Sequence, residues 1–391
     1  MSALPLHGVR VLDLSRLLPG PYATLVLADL GADVVKVEDP SGGDYLRWMP
    51  PLAGEQSGWF HALNRNKRSL TLDLRRSEGS ATLLRLARRF DVVLESFRPG
   101  VMERLGVGYE ALSRENPGLV LCSISGYGQD GPYRDRAGHD IDYVALAGVL
   151  ALNGPPERPV PLGVQVADVA GGSWPAVAGI LAALLGRAAT GKGAWVDVAM
   201  AEGALATMAL QQGAADAEGR ALRRGGEQLN GGSACYGVYR AKDGGFVALG
   251  ALEPRFFRTF CEAVGRPELG DAQFDQDGTG PRDEVEAIFA TRTRQEWGAF
   301  AARHDVCVMP VLEGDEPRRD PQLVHRGSFV EVPTPWEGRA MPGLASPVRI
   351  RGLDAPLRAA PRIGADSDAV LAESGFDAGE VAALRASGVL G

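Results

Sequence analysis

Cysteine is scarce in this chain: 391 residues carry four, Cys122, Cys235, Cys261 and Cys307, scattered and without a C-x-x-C pair. That argues against a disulfide scaffold and a zinc site, and fits reduced thiols in a cytoplasm. Runs of positive charge are missing too. With a net charge of −8 and no long basic tract, nucleic acid is not an expected partner. The opening "MSALPLHGVRVLDLS" has neither the basic region nor the continuous apolar stretch of a signal peptide. The longest apolar run, "WPAVAGILAALL" (174–185), falls short of the ~20 residues that cross a bilayer and reads as a buried helix. No G-x-G-x-x-G joins a strand to a helix, and there is no Walker A motif. Nicotinamide, flavin and nucleotide-hydrolysing chemistry thereby lose their main support. The expectation is a soluble, cytoplasmic protein with neither a membrane nor a metal as partner.

What is present is an ordinary globular composition, 45% hydrophobic and 23% charged, in a chain long enough for two or three domains. The first 130 residues alternate strand and helix signals. Strand-like runs stand at 9–15 ("VRVLDLS"), 33–38 ("DVVKVE"), 69–74 ("SLTLDL"), 91–96 ("DVVLES") and 118–125 ("GLVLCSIS"). Amphipathic segments of helix length separate most of them, which predicts βαβ units and a mainly parallel sheet. From 174 to 212 the pattern reads as helical, broken by a turn at "ATGKGAWVDV". A loop rich in Gly and Arg (221–237) marks a boundary, and "VYRAKDGGFVALGA" reads as a hairpin turning at Asp243-Gly244. The division expected is a large domain over 1–200 rejoined by 330–391, a linker over 201–224, and a small α+β domain over 225–329.

Ligands of parallel sheets bind beyond the carboxyl ends of the strands, so the residues after each strand are the ones to inspect. "GHDIDYVALAG" (138–148) lies in that position. His139 there is either a cap or partner of Asp140, or a base. Asp168, in "ADVAGGSWPAV", reads as an N-cap or first-turn aspartate and, in the same geometry, as a carboxylate beside free N–H groups at Gly171-Gly172; the two readings are compatible. Glu253 follows an apolar strand and precedes Pro254 and two phenylalanines. The basic residues of "NRNKRS" (64–69), with Arg75, Arg76, Arg98 and Arg104, are either solvated or a grip for phosphates.

Taken together, "VLDLSRLLPGPYATLVLADLGADVVKVE", "NRNKRSLTLDL", "ESFRPGVMERLG", "ISGYGQDGPYRDRAGHD", "ADVAGGS", "TGKGAWVDVAMAEGAL" and "GALEPRFF" resemble the class III CoA-transferase superfamily. Within it the chain looks most like the α-methylacyl-CoA racemase branch. Transferase relatives usually carry an aromatic residue and a Gln where this chain has His139 and Val144, and oxalate-type transferases a Gln where it has Leu18. Their long glycine run before the small domain is also replaced by "LNGGSACYG". Two positions depart from the superfamily pattern. Asp39 stands where relatives often place Arg, leaving Arg47 or Arg65 as substitute cations, and "GADSDAV" lacks the histidine of a near-C-terminal element.

The resemblance implies a Rossmann-like parallel-sheet domain plus a smaller α+β domain, assembled as an interlocked homodimer on an acyl-CoA substrate. It also implies no cofactor beyond the CoA moiety. His139 and Asp168 would flank the α-carbon of a 2-methylacyl thioester, with Glu253 supporting the imidazolium, across the dimer. Leu18, Leu72, Arg75, Ser96, Phe97 and Arg104 match CoA-contact positions, Arg104 toward phosphate. Backbone N–H groups near Gly171 would hold the enolate. A carboxylate of ordinary pKa, about 4, is a poor base, so Asp168 is expected to titrate higher. The alternative activity is CoA transfer through an aspartyl-CoA thioester on Asp168.

Overall fold

The computed structural model describes residues 4–274, 280–336, 338–354 and 357–391. The chain divides into two compact units. One comprises the residues up to Ala147, Val164–Thr207 and everything from Gln322 onward; the other comprises Gly148–Gly163 and Met208–Pro321.

The first unit is built on a six-stranded parallel sheet of β1 (Arg10–Asp13), β2 (Asp33–Glu38), β3 (Arg68–Thr71), β4 (Val92–Glu95), β5 (Val120–Ser125) and β6 (Ala194–Ala199). Their order is β3-β2-β1-β4-β5-β6. The first five strands are rich in Val, Leu and Ile and buried on both faces, the pattern that a helix-covered parallel sheet requires. Helices α1 (Pro19–Asp29), α2 (Gly58–Asn64), α3 (Ser77–Ala87) and α4 (Tyr109–Glu115) lie between consecutive strands. The strand order reverses between β1 and β4, and a crevice opens at such a switch point. The α/β reading of the sequence holds, and its first five strands fall where the apolar runs stand.

Two expectations need correction. "AWVDVA" is not part of a turn within a helical region but the edge strand β6, pairing Val120 with Ala194. It was hidden because its half-exposed alternation follows "TGKG", a turn signal. The apolar helix is also longer than its run suggested. A π-type turn, Ala167–Ser173, leads without a break into α6 (Trp174–Thr190). The combined helix of 24 residues contains an 18-residue stretch of mean hydropathy 1.6, long and apolar enough to cross a bilayer by length and composition. The expected buried helix is buried only along one face: Ala176, Val177 and Ile180 are buried while Leu185 is exposed, and Gly179 lets β6 come close, since a Cβ there would stand 2.6 Å from Val196. The chain's end covers the sheet edge: Arg68 pairs with Glu373, Asp73 N–H donates to Val389 O, and Val370, Leu371 and Leu390 join the core.

Beneath the ends of β1 and β2 lies a fully buried network of charges. The Asp13 carboxylate accepts from the Ser15 and Thr24 hydroxyls and from Lys67 Nζ at 3.2 Å. Lys36 Nζ reaches Asp44 at 3.0 Å and Ser15 O at 2.8 Å. Arg47 grips Glu38 through Nε and Nη2 at 2.7 and 2.6 Å. Burial alone would raise the Asp13 carboxyl, but Lys67, Lys36 and the two hydroxyls outweigh it and hold it at about 2. Lys67 and Arg65, read from sequence as solvated or phosphate-gripping, are therefore internal. Arg65 pairs with Asp29 at 2.5 Å, and neither it nor Arg47 is free to replace the cation missing at position 39.

The second unit carries a three-stranded antiparallel sheet of β7 (Tyr236–Arg240), β8 (Phe246–Gly250) and β9 (Val308–Pro310), with β8 central. The Asp243-Gly244 turn forms as read, Gly244 taking φ +85°. Its core is aromatic, with Trp297, Phe257, Phe260 and Phe289 buried together.

Candidate active site

Two clefts in the first unit meet at the same pair of side chains. One, of 400 Å³, is lined by residues following β1, β4 and β5, and includes Arg16, Ser96, Phe97, Arg98, Arg134 and Arg136. The other, of 650 Å³, is lined by Leu18, Leu46, Met49, Trp59, Ala62 and Leu63. Leu17, Tyr45, His139 and Asp168 line both. A basic chamber and an apolar chamber thus join where an imidazole and a carboxyl stand.

His139 is exposed and precedes the first residue of α5 (Asp140–Leu146). Its backbone N–H donates to Asp142 Oδ2 at 2.9 Å, which fixes the helix start. The neighbouring Asp140 turns elsewhere: its Oδ1 accepts the Asp168 N–H at 3.0 Å. Asp168 lies in the first turn of the π-type stretch, half-buried. Burial first, and the charge of Asp140 second, push its carboxyl from the ordinary 3.8 up to about 7. The rise expected from sequence is there.

The glycines beside it have a different use from the one expected. The helix starts at Ala167, so Gly171 lies inside it rather than at its open end. Gly171 and Gly172 instead permit close packing of α7 (Met200–Ala206). A Cβ on Gly171 would stand 2.7 Å from Met200 O, and one on Gly203 would stand 2.0 Å from Gly171 O.

The loop after β1 is set by the buried charges. Leu17 holds φ +61°, a left-handed conformation costing about 1–3 kcal/mol in a non-glycine residue. Its N–H donates to Asp44 Oδ2 at 3.2 Å, while Lys36 holds the carbonyl of Ser15. The network thereby positions Leu17, Leu18 and Tyr45 in the walls.

Of the expected CoA contacts, Leu18, Ser96 and Phe97 line the clefts. Leu72 is in the core, 2% exposed. Arg75 is exposed and tied to Asp73 at 2.8 Å and Asp39 at 3.0 Å. Arg104 is not among the residues that line the basic chamber; its guanidinium and that of Arg134, which does line it, both come close to Gly100, at 3.7 and 2.9 Å from where a Cβ would stand. Glu253 belongs to the second unit, exposed at the N-cap of α8 (Pro254–Ala263). Sequence reasoning passed over Arg16, Arg134, Arg136, Met49 and Trp59. Arg16 follows β1, and Arg134 and Arg136 precede His139 in the loop after β5, so the strand-end rule already pointed at these three; nothing in the sequence marked Met49 or Trp59.

Residues 6–367 match the family model described as CoA-transferase family III. The chain is 37% identical to the alpha-methylacyl-CoA racemase of Homo sapiens, over 99% of this chain and 98% of that protein. It is 35% identical to the succinate–glutarate CoA-transferase of Agrobacterium fabrum, over 94% and 95%. A solved CAIB/BAIF family protein from Brucella suis superposes with a TM-score of 0.82 at 33% identity, covering 95% of this chain and all of that one.

Proposed function

The chain belongs to CoA-transferase family III, and from that premise we propose that it racemises 2-methylacyl-CoA thioesters by moving the α-proton. The observation that carries this reading is the pair of chambers meeting at His139 and Asp168. The basic chamber suits the phosphates of CoA. The apolar chamber has no Lys or Arg among its lining residues, so it suits a hydrocarbon acyl group better than a dicarboxylic acid's second carboxylate, whose burial unpaired is costly.

In the proposed reaction one of the two groups takes the α-proton and the thioester becomes an enolate. The other returns a proton to the opposite face, and both re-equilibrate with water. Asp168, titrating near neutrality, accepts a carbon-bound proton more readily than an ordinary carboxylate does. The enolate oxygen is assigned to the open backbone donors at the start of α5, before the first intrahelical bond, in place of those at Gly171. We also infer a homodimer in which the small unit's Glu253 completes the other copy's site. The exposed apolar side chains Leu146, Leu185 and Leu205 support an uncovered partner face.

The test is α-hydrogen exchange of a 2-methylacyl-CoA in D₂O, followed by NMR. Exchange with inversion is expected. No exchange, with hydroxylamine trapping a thioester on Asp168 after an acyl-CoA donor is added, would instead establish CoA transfer.

A further inference from the structure

We propose that Asp140 is a positioning residue, whose carboxylate clamps the turn carrying Asp168 so that one helix start sets both bases. This rests on the reading of His139 and Asp168 as the proton-transfer pair. Asp140 follows His139 in the chain and is the first residue of α5. Its Oδ1 accepts the Asp168 N–H across 28 residues of sequence, at 3.0 Å. That N–H is one of the donors a helix start leaves without an internal acceptor, so the carboxylate caps the π-type turn from a different element.

The clamp works only if its two ends are fixed, and each is held by a contact of its own. Tyr143 Oη donates to Gly138 O at 2.6 Å, under the residue before His139. Its ring fills the space beside Gly138 and Gly126, where a Cβ would come within 2.7 and 2.5 Å. The single Ser173 hydroxyl proton is shared between Pro19 O at 2.7 Å and Asp168 O at 3.0 Å, which anchors the other side of the Asp168 turn to α1. With α5 and the Asp168 turn each fixed, the Asp140 contact joins the element that starts at His139 to the one that carries Asp168.

The same contact has an electrostatic side. The titratable and charged groups around Asp168 are His139 just before α5, Asp140 and Tyr143 of α5, Tyr127 beyond β5, Tyr45 beyond β2, and Arg16, Arg98, Arg134 and Arg136 of the basic chamber. Of these, Asp140 is the carboxylate whose charge raises Asp168. Geometry and charge separate by substitution. Asp140→Asn keeps an acceptor oxygen and removes the charge, whereas Asp140→Ala removes both.

The experiment measures kcat, KM and the pH profile of α-hydrogen exchange for both variants. In parallel, ¹³C NMR of aspartate-labelled protein titrates the Asp168 carboxyl, assigned with Asp168→Asn. Asp140→Ala is expected to lower kcat about tenfold or more with KM within about twofold, the mark of lost alignment. Asp140→Asn is expected to restore most of kcat while the acid limb and the Asp168 titration move down by about half to one pH unit. An Asp140→Ala enzyme with unchanged kcat overturns the proposal. So do two equally impaired variants in which Asp168 titrates as before. If Asp140→Ala does not fold, hydrogen exchange of the Asp168 amide in the wild type and in Asp140→Asn decides: protection is expected in both, and an unprotected amide overturns the proposal. Absence of α-hydrogen exchange in the wild type, with the Asp168 amide still protected from hydrogen exchange, would remove the racemase reading and leave the clamp standing.

Discussion

Asp13 and Asp168 are carboxyls withdrawn from water in the same unit, yet they titrate on opposite sides of the ordinary value. Asp13 is completely buried, faces two lysines and two hydroxyls, and is held at about 2. Asp168 is less buried, faces another carboxylate, and rises to about 7. Burial raises both; the neighbours decide the sign. The first arrangement fixes a loop and has its charges satisfied. The second keeps a proton near neutrality, which is what a group serving as acid and base in turn requires. The contrast separates the part of this sheet end that holds shape from the part available for chemistry.

The largest way to break the contrast is to remove Asp13. Asp13→Ala leaves Lys67 and Lys36 buried without their shared partner, and the expected loss is about 3–5 kcal/mol of unfolding free energy, read by urea denaturation. A loss below about 1 kcal/mol would mean that water or rearranged side chains replace the pairing. A smaller effect sharpens the contrast through pH. Asp13 has a depressed pKa, so its contribution to stability is present above 3.8 and is lost as pH falls through about 2. Asp168 has a raised pKa, so its contribution is present below 3.8 and is lost as pH rises through about 7. Denaturation midpoints across pH should therefore flatten between about 4 and 7 in Asp168→Asn and leave the acid decline untouched. An unchanged slope in that window would place the Asp168 titration near its ordinary value.

How much of this was legible differs between the two regions for a physical reason. The apolar runs that became β1 to β5 carry their own signal, because a strand covered on both faces must be almost continuously apolar. Asp243-Gly244 announced its turn through glycine's freedom at positive φ. His139 and Asp168 were legible as candidates because both sit at element boundaries. Lys36 was not: inside "DVVKVE" it reads as a solvent-facing residue, and only the fold brings Asp44 within 3.0 Å of it. Arg65 and Lys67 hid in the same way, as a basic cluster whose partners Asp29 and Asp13 lie 36 and 54 residues away. The π-type turn was likewise invisible, because it depends on how closely Gly171 and Gly203 let two helices approach. The apolar chamber draws on three separate stretches, around Leu18, Met49 and Trp59, and no local pattern joins them.

The most direct test of the two-base account is the exchange of each enantiomer of a 2-methylacyl-CoA in D₂O by His139→Ala and by Asp168→Asn. The account predicts that each variant loses inversion by about 10²–10⁴-fold and still exchanges the α-hydrogen of one enantiomer, the two variants retaining opposite ones. Two variants that exchange both enantiomers as the wild type does would contradict it.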